Sequence, residues 1–186
     1  MLRKNPRGDW PQVAESAFID PTAILCGQVI VGENVFIGPY AVIRADEVND
    51  KGEMEPIVIG AHSNIQDGVV IHSKAGGLVV IGEYTSIAHR SIIHGPCTIG
   101  NRVFIGFNSV VYNATIHDDV VVRHNCVIDS RAILTGLYVP SCHKVNHETD
   151  TQLLRPASDY AHDFSESVAK ANHSLVQGYR AIRNEF

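Results

Sequence analysis

No stretch of this sequence is long and apolar enough to cross a bilayer, and the basic opening, MLRKNPRGDW, is not followed by the apolar segment that a secretory leader needs. Lys and Arg form no run, and 15 basic residues face 20 acidic ones for a net charge of −5. Such a chain lacks the electrostatic footprint of a partner for nucleic acid or an anionic membrane surface. The four cysteines, Cys26, Cys97, Cys126 and Cys142, include no CxxC pair, and their spacing suggests neither a zinc knuckle nor a disulfide framework. A reduced, cytoplasmic setting is the expectation. Sustained apolar spacings of three and four, the mark of amphipathic helices, are missing from most of the chain. Yet 45% of the residues are hydrophobic and only 19% are charged, a composition that folds rather than stays disordered.

What the chain does have is a period of six. Aliphatic residues stand at Ile19, Leu25, Val31, Ile37 and Ile43, then at Ile59, Ile65 and Ile71, then at Ile81, Ile87, Ile93, Ile99, Ile105 and Val111. After a slip of one residue the series runs on through Ile116, Val122 and Ile128. This period describes a short strand and a corner, repeated, with one inward side chain per face. Three faces close a triangular coil of about eighteen residues, and coils stack at the strand spacing of about 4.8 Å. β-branched residues fill the inside, and small residues or glycine take the corners. The predicted fold is therefore a parallel β-helix over residues 18–140, preceded by an N-terminal segment, 1–17. A polar connection follows over 141–158, with Pro140 just before it and Pro156 near its end. A C-terminal α-helix is expected over 159–186, where Val168, Leu175, Tyr179 and Ile182 fall on one face, and it would pack along the prism as part of one domain.

Two breaks interrupt the phase. Ile43 to Ile59 reads as two hexads plus four residues, and Ile71 to Ile81 as one hexad plus four, so each break is taken as a four-residue loop pushed out of a corner. On that arithmetic Ile93 stacks on Ile71, and His72 and His94, which directly follow them, point outward one above the other. Two imidazoles about one strand spacing apart can share a zinc-sized ion, whose bonds to nitrogen are about 2.0–2.1 Å. The same arithmetic predicts that Ile43, Ile65 and Ile87 stack on a different face. Behind them come Arg44 with Asp46 and Glu47, Gln66 with Asp67, and Ala88 with His89, which would make a second polar corner. Two corners a third of a turn apart do not bring three histidines to one ion within a single chain. Neighbouring chains can do so, and a triangular prism repeating that contact closes as a homotrimer. Arg44, Asp46 and Asp67 fit equally well a salt-bridge network between subunits. His62, His117, His124, His143, His147, His162 and His173 show no stacking pattern and are read as surface residues.

The stretches RADE (44–47), NIQDGVVIH (64–72) and SIAHRSIIHGPCTIGNRVFIGF (86–107) closely resemble the γ-class carbonic anhydrases. DWPQV (9–13), FIDPTA (18–23), YVP (138–140) and QGYR (177–180) are similar as well, so the resemblance extends over nearly the whole chain. It implies a left-handed β-helix. It further implies that His72 and His94 of one subunit and His89 of the next bind a divalent metal, Zn2+ in the first place, with Fe2+ or Co2+ also accepting imidazole. The implied reaction is the reversible hydration of carbon dioxide to bicarbonate. In it Gln66 orients the reactive oxygen and Glu47 helps to move the proton. Asn172 stands near the substrate, and Arg44, Asp46 and Asp67 link subunits and orient the site. Three neutral imidazoles leave such an ion an open position where water is acidified to a pKa of about 7. The chain departs from the family prototype in two places. The loop after His72, SKAGG (73–77), has Lys74 and no carboxylate, and Lys170 replaces a tyrosine. Two other functions stay open at this point. One is a hexapeptide acyltransferase, which needs one catalytic histidine and no metal triad. The other is a non-catalytic trimer that serves assembly or binds bicarbonate.

Overall fold

The computed structural model describes residues 1–183. The chain winds as a left-handed parallel β-helix with about seven turns, closed by a single long helix. Its strands are two to four residues long and form three faces of eight, seven and eight strands. The first face runs from Leu2–Arg3 through Ile24–Gly27, Val42–Ala45, Val70–Ser73 and Ile92–Gly95 to Lys144–Val145. The second includes Val29–Val31, Ile57–Ile59 and Val79–Ile81, and the third Phe36–Ile37, Asn64–Ile65, Ser86–Ile87 and Phe104–Ile105. All pairings between coils are parallel, and one antiparallel strand, Arg155–Pro156, ends the third face. Strands thus reach beyond the 18–140 span at both ends, where Leu2–Arg3 pairs with Ile24–Gly27 and Lys144–Val145 with Val127–Asp129.

The period of six appears inside the prism as stacked aliphatics. Leu25, Ile43, Ile71, Ile93, Val111 and Ile128 line the first face in successive coils, all at 0% exposure. Ile65, Ile87 and Ile105 do the same on the third. These aliphatics stack coil on coil, and burial of roughly 0.8 kcal/mol per CH₂ holds the coils together, while the buried hydroxyls of Ser63, Thr85, Ser91 and Ser109 at the corners donate to backbone carbonyls.

One register differs from the expectation and moves several residues. Ile43 pairs with Ile71, 28 residues on, rather than with Ile65. The interval from Ile43 to Ile59 therefore holds one hexad and ten inserted residues, not two hexads and four. A six-residue period cannot tell these apart, since they differ by one whole hexad. The composition can: the next hexad position after Ile43 is Asn49, which is polar. Asn49 instead organises the loop, its Oδ1 accepting from the backbone N–H groups of Lys51 and Glu53. The second break behaves as expected, with Ile71 pairing with Ile93.

The helix, Asp159–Arg183, lies on the outside of the third face and runs against the coil order. Phe164 meets Phe104 edge-on at 5.3 Å, and Tyr179 stacks flat on Phe18 at 4.4 Å. Its buried line is Ala161, Asn172 and Val176, with the partly buried Val168 between them. Leu175 and Ile182, expected on that line, are instead 44% and 53% exposed, because the face that meets the prism is turned by about one residue from theirs. The last three residues of the predicted helix, 184–186, lie outside the described residues.

Candidate metal centre

The residue after each inward isoleucine on the first face points outward. This gives a column of Cys26, Arg44, His72, His94, Tyr112 and Asp129, one per coil. His72 and His94 are direct partners in register, and their rings meet edge to face with centroids 5.3 Å apart. His94 Nδ1 lies 3.1 Å from the carbonyl oxygen of Gly95. Donation by that nitrogen fixes the tautomer and leaves Nε2 with a free lone pair, the arrangement that a metal-ligating imidazole needs. Gly95 has to be glycine here: a Cβ would come within 2.4 Å of Ser73 Oγ and 2.6 Å of a Val79 methyl.

The shifted register places Arg44, Asp46 and Glu47 at this corner, beside His72, and not with Gln66 and His89 as the sequence arithmetic had it. Arg44 lies directly below His72 in the ladder. Asp46 bridges the two, with Oδ2 2.9 Å from Arg44 Nη1 and Oδ1 3.2 Å from His72 Nε2. Glu47 Oε1 stands 3.6 Å from the same histidine nitrogen, and its side chain is half exposed. The loop that follows His72 carries no carboxylate and is held in by Ser73, whose hydroxyl donates to the Gly77 carbonyl.

The corner between the third and first faces holds the remaining residues. Gln66 is buried, with Nε2 donating to Asn64 Oδ1 at 2.9 Å, and Asn64 Nδ2 in turn donates to Ser86 Oγ at 2.7 Å. His89 Nδ1 lies 3.7 Å from Asp67 Oδ2, and both side chains are about half exposed. Asp67, His89, Arg90, Phe107 and Asn108 line a shallow pocket of about 380 Å3. Among the described residues, no three His, Cys, Asp or Glu side chains converge as a metal site within the chain. Asn172 lies buried on the face of the helix that meets the prism, its Nδ2 donating to the Val168 carbonyl at 2.9 Å.

Several neighbours of these residues escaped the sequence reading. Tyr112 stacks above His94 with centroids 5.6 Å apart, and Phe107 stands 5.3 Å from His89. Each lies one plain coil, eighteen residues, beyond its histidine, so the same arithmetic reaches them. His124 is not an incidental surface residue. It stacks on Phe107 at 4.5 Å, its Nδ1 accepts from the Phe107 backbone N–H, and burial, with Arg123 beside it, holds its pKa below the ordinary imidazole value. His62 and His173 also have aromatic partners. Burial pushes the Cys97 and Cys126 thiols up, which keeps them protonated and unsuited to metal binding.

A family model described as bacterial transferase hexapeptide (six repeats) matches residues 11–45 and 78–113. The chain is 36% identical over 178 residues to the carboxysome assembly protein CcmM of a Nostoc species, covering 90% of this chain and 31% of that protein's length. It is 32% identical over 213 aligned positions to a carbonic anhydrase of Methanosarcina thermophila, covering 96% of this chain and 81% of the other. A crystal structure of a hexapeptide transferase family protein from Anaplasma phagocytophilum superposes with a TM-score of 0.79 at 26% identity, covering 96% of this chain and 98% of that one.

Proposed function

Starting from the membership of this chain in the family of hexapeptide-repeat proteins, we propose that it catalyses the reversible hydration of carbon dioxide to bicarbonate at a metal shared between neighbouring chains of a homotrimer. The observation that carries this reading is the His72–His94 pair, in register and with His94 Nδ1 directed to a backbone carbonyl, in a chain that aligns with a carbonic anhydrase over 96% of its length. His72 and His94 of one chain and His89 of the next would hold the ion, Zn2+ or, with the same donors, Fe2+ or Co2+. When bound, the ion supplies a Lewis acid that acidifies water for attack on carbon dioxide.

The remaining roles belong to this chain's own side chains. Asp46 accepts from Arg44 and orients the His72 ring. Asp67 does the same for His89 across a longer gap. Gln66, with one of its two amide N–H groups given to Asn64, would orient a hydroxyl group of substrate or product through Oε1 or the second N–H. Asn172 gives one of its two amide N–H groups to Val168, so a substrate contact would use the other or Oδ1. Glu47, beside His72 and half exposed, takes the proton released when water adds to carbon dioxide and passes it to solvent.

Trimerisation draws support from the first face. Its outward column beside the histidines is Ile24, Val42, Val70, Ile92, Val110 and Val127, a β-branched stripe in which Ile92 and Val127 are 41% exposed. The helix covers the third face and leaves this one bare. A second reading, a non-catalytic trimer for assembly or bicarbonate binding, is favoured by the tucked loop without a carboxylate after His72. An acyltransferase would need no stacked pair. Metal analysis of protein purified without oxygen, joined to a stopped-flow assay of carbon dioxide hydration, separates the three. Metal with turnover supports the lead reading, metal without turnover the second, and neither metal nor turnover the acyltransferase.

A further inference from the structure

The third corner of the prism, between the second and third faces, carries none of His72, His89 or His94, yet it borders a cavity of its own. The cleft runs between this corner and the helix and encloses about 790 Å3. Its prism wall is a column with one residue per coil: His62, Tyr84, Arg102 and Asp119. Because the helix runs against the coil order, His173 faces the His62 end and His162 the Asp119 end. The column spans three coil steps, about 14 Å.

The two ends differ in chemistry. At one end His62 lies flat on Tyr84, with centroids 4.7 Å apart and planes within 6°, and His173 tilts against it at 5.9 Å. Gln177 Nε2 lies 3.0 Å from His173 Nε2 and restrains that ring. One face of His62 and of Tyr84 is taken by the other, and the remaining π-surface of the cluster is one on which a planar heteroaromatic ring can pack. At the other end Asp119 grips Arg102 side-on, Oδ1 on Nε at 2.7 Å and Oδ2 on Nη2 at 2.8 Å. That grip fixes the guanidinium plane; Asp118 Oδ2 stands 3.9 Å from Nη2, and Nη1, without a hydrogen-bond partner among the described residues, is the donor left open to a second anion. Arg102 also holds the Asp119 carboxyl below its ordinary pKa, with His162 contributing. Between the ends the helix offers only small side chains, Ser165 and Ala169, next to the exposed Glu166–Lys170 pair. The small residues leave width for a sugar, and Ser165 and Glu166 can bond its hydroxyl groups. With Asp118 counted beside Arg102, the formal charges of Arg102, Lys170, Asp118, Asp119 and Glu166 sum to −1, so recognition rests on shape and on the split between an aromatic end and the Arg102 end rather than on bulk attraction.

We propose that this cleft binds a nucleoside phosphate, with the base on the His62–Tyr84–His173 shelf and the phosphate at Arg102. The test is calorimetric titration of the full chain with AMP, adenosine and ribose 5-phosphate, together with the imidazole resonances of His62 and His173. AMP should bind at one per chain with a dissociation constant below about 1 mM. Arg102→Gln should weaken AMP about tenfold and leave adenosine unchanged. His62→Ala should weaken AMP and adenosine but not ribose 5-phosphate. Ser165→Phe, which fills the middle of the cleft from the helix, should abolish AMP binding with the unfolding midpoint preserved, and it keeps the proposal testable if His62→Ala does not fold. No AMP binding at millimolar concentration overturns the proposal, as does binding that ignores all three substitutions.

Discussion

If the ligands of one ion come from two chains, two variants that each lose the metal must partly rescue one another when mixed. His72→Ala removes a ligand from the first face, and His89→Ala removes one from the next corner; each homotrimer then lacks a ligand at all three sites. Suppose the two are unfolded, mixed in equal amounts and refolded together. A site is whole only where a chain with intact His72 and His94 meets a neighbour with intact His89. In the closed ring this occurs once in every mixed trimer, of either composition, and never in an unmixed one. Three quarters of randomly assembled trimers are mixed, so about a quarter of all sites are restored. Zinc measured by elemental analysis after desalting should rise from near zero in each variant to about one quarter of the parent's content. The magnitude follows from the geometry alone, because the register puts His72 and His94 in one column while His89 stands at another corner. Mixing His72→Ala with His94→Ala is the control: both residues come from the same chain, so no site is restored. A mixture of His72→Ala and His89→Ala that stays empty, with parent protein refolding and loading normally, refutes the shared site.

Three further outcomes are expected. Ile99→Ala, which opens a cavity in the stack of the second face, should cost about 3 kcal/mol in denaturant unfolding while leaving metal content unchanged. His124 has a lowered pKa in the folded state, so the unfolded chain binds the extra proton first. The stability contributed by its neutral form is complete above the unfolded value of about 6.5 and falls as pH drops towards the folded value. His124→Gln should reduce that slope in pH-dependent melting, and an unchanged slope removes His124 as its source. In stopped-flow assays at fixed pH and ionic strength, added imidazole buffer should raise kcat with little effect on kcat/KM, and Glu47→Gln should lower kcat until buffer restores it. Indifference to both would exclude Glu47 as the path for the proton.

The sequence discloses what repeats and conceals what interrupts. The main inward aliphatic of each face between Ile19 and Ile128 can be read from the period, because each coil must bury the same kind of side chain at the same place. The pairing of His72 with His94 follows from it, since the insertion between them is short and its residue count has one sensible division. The insertion after Ala45 has two, and the period cannot choose between them. The polar residue at Asn49, where a buried aliphatic would be required, does choose, and it moves Arg44, Asp46 and Glu47 by one face. That displacement has a chemical consequence. With the acids on the Gln66 corner, the proton path and the orienting amide would have come from the same chain as His89. With the acids beside His72, a complete site would take His72, its two carboxylates and His94 from one chain, and His89, Asp67 and Gln66 from the other. Each half then holds a histidine with its own acidic partner within 4 Å. A lone chain would keep both half-sites oriented yet bring no more than two of the three imidazoles to one ion, so assembly itself would become the step that creates the metal site.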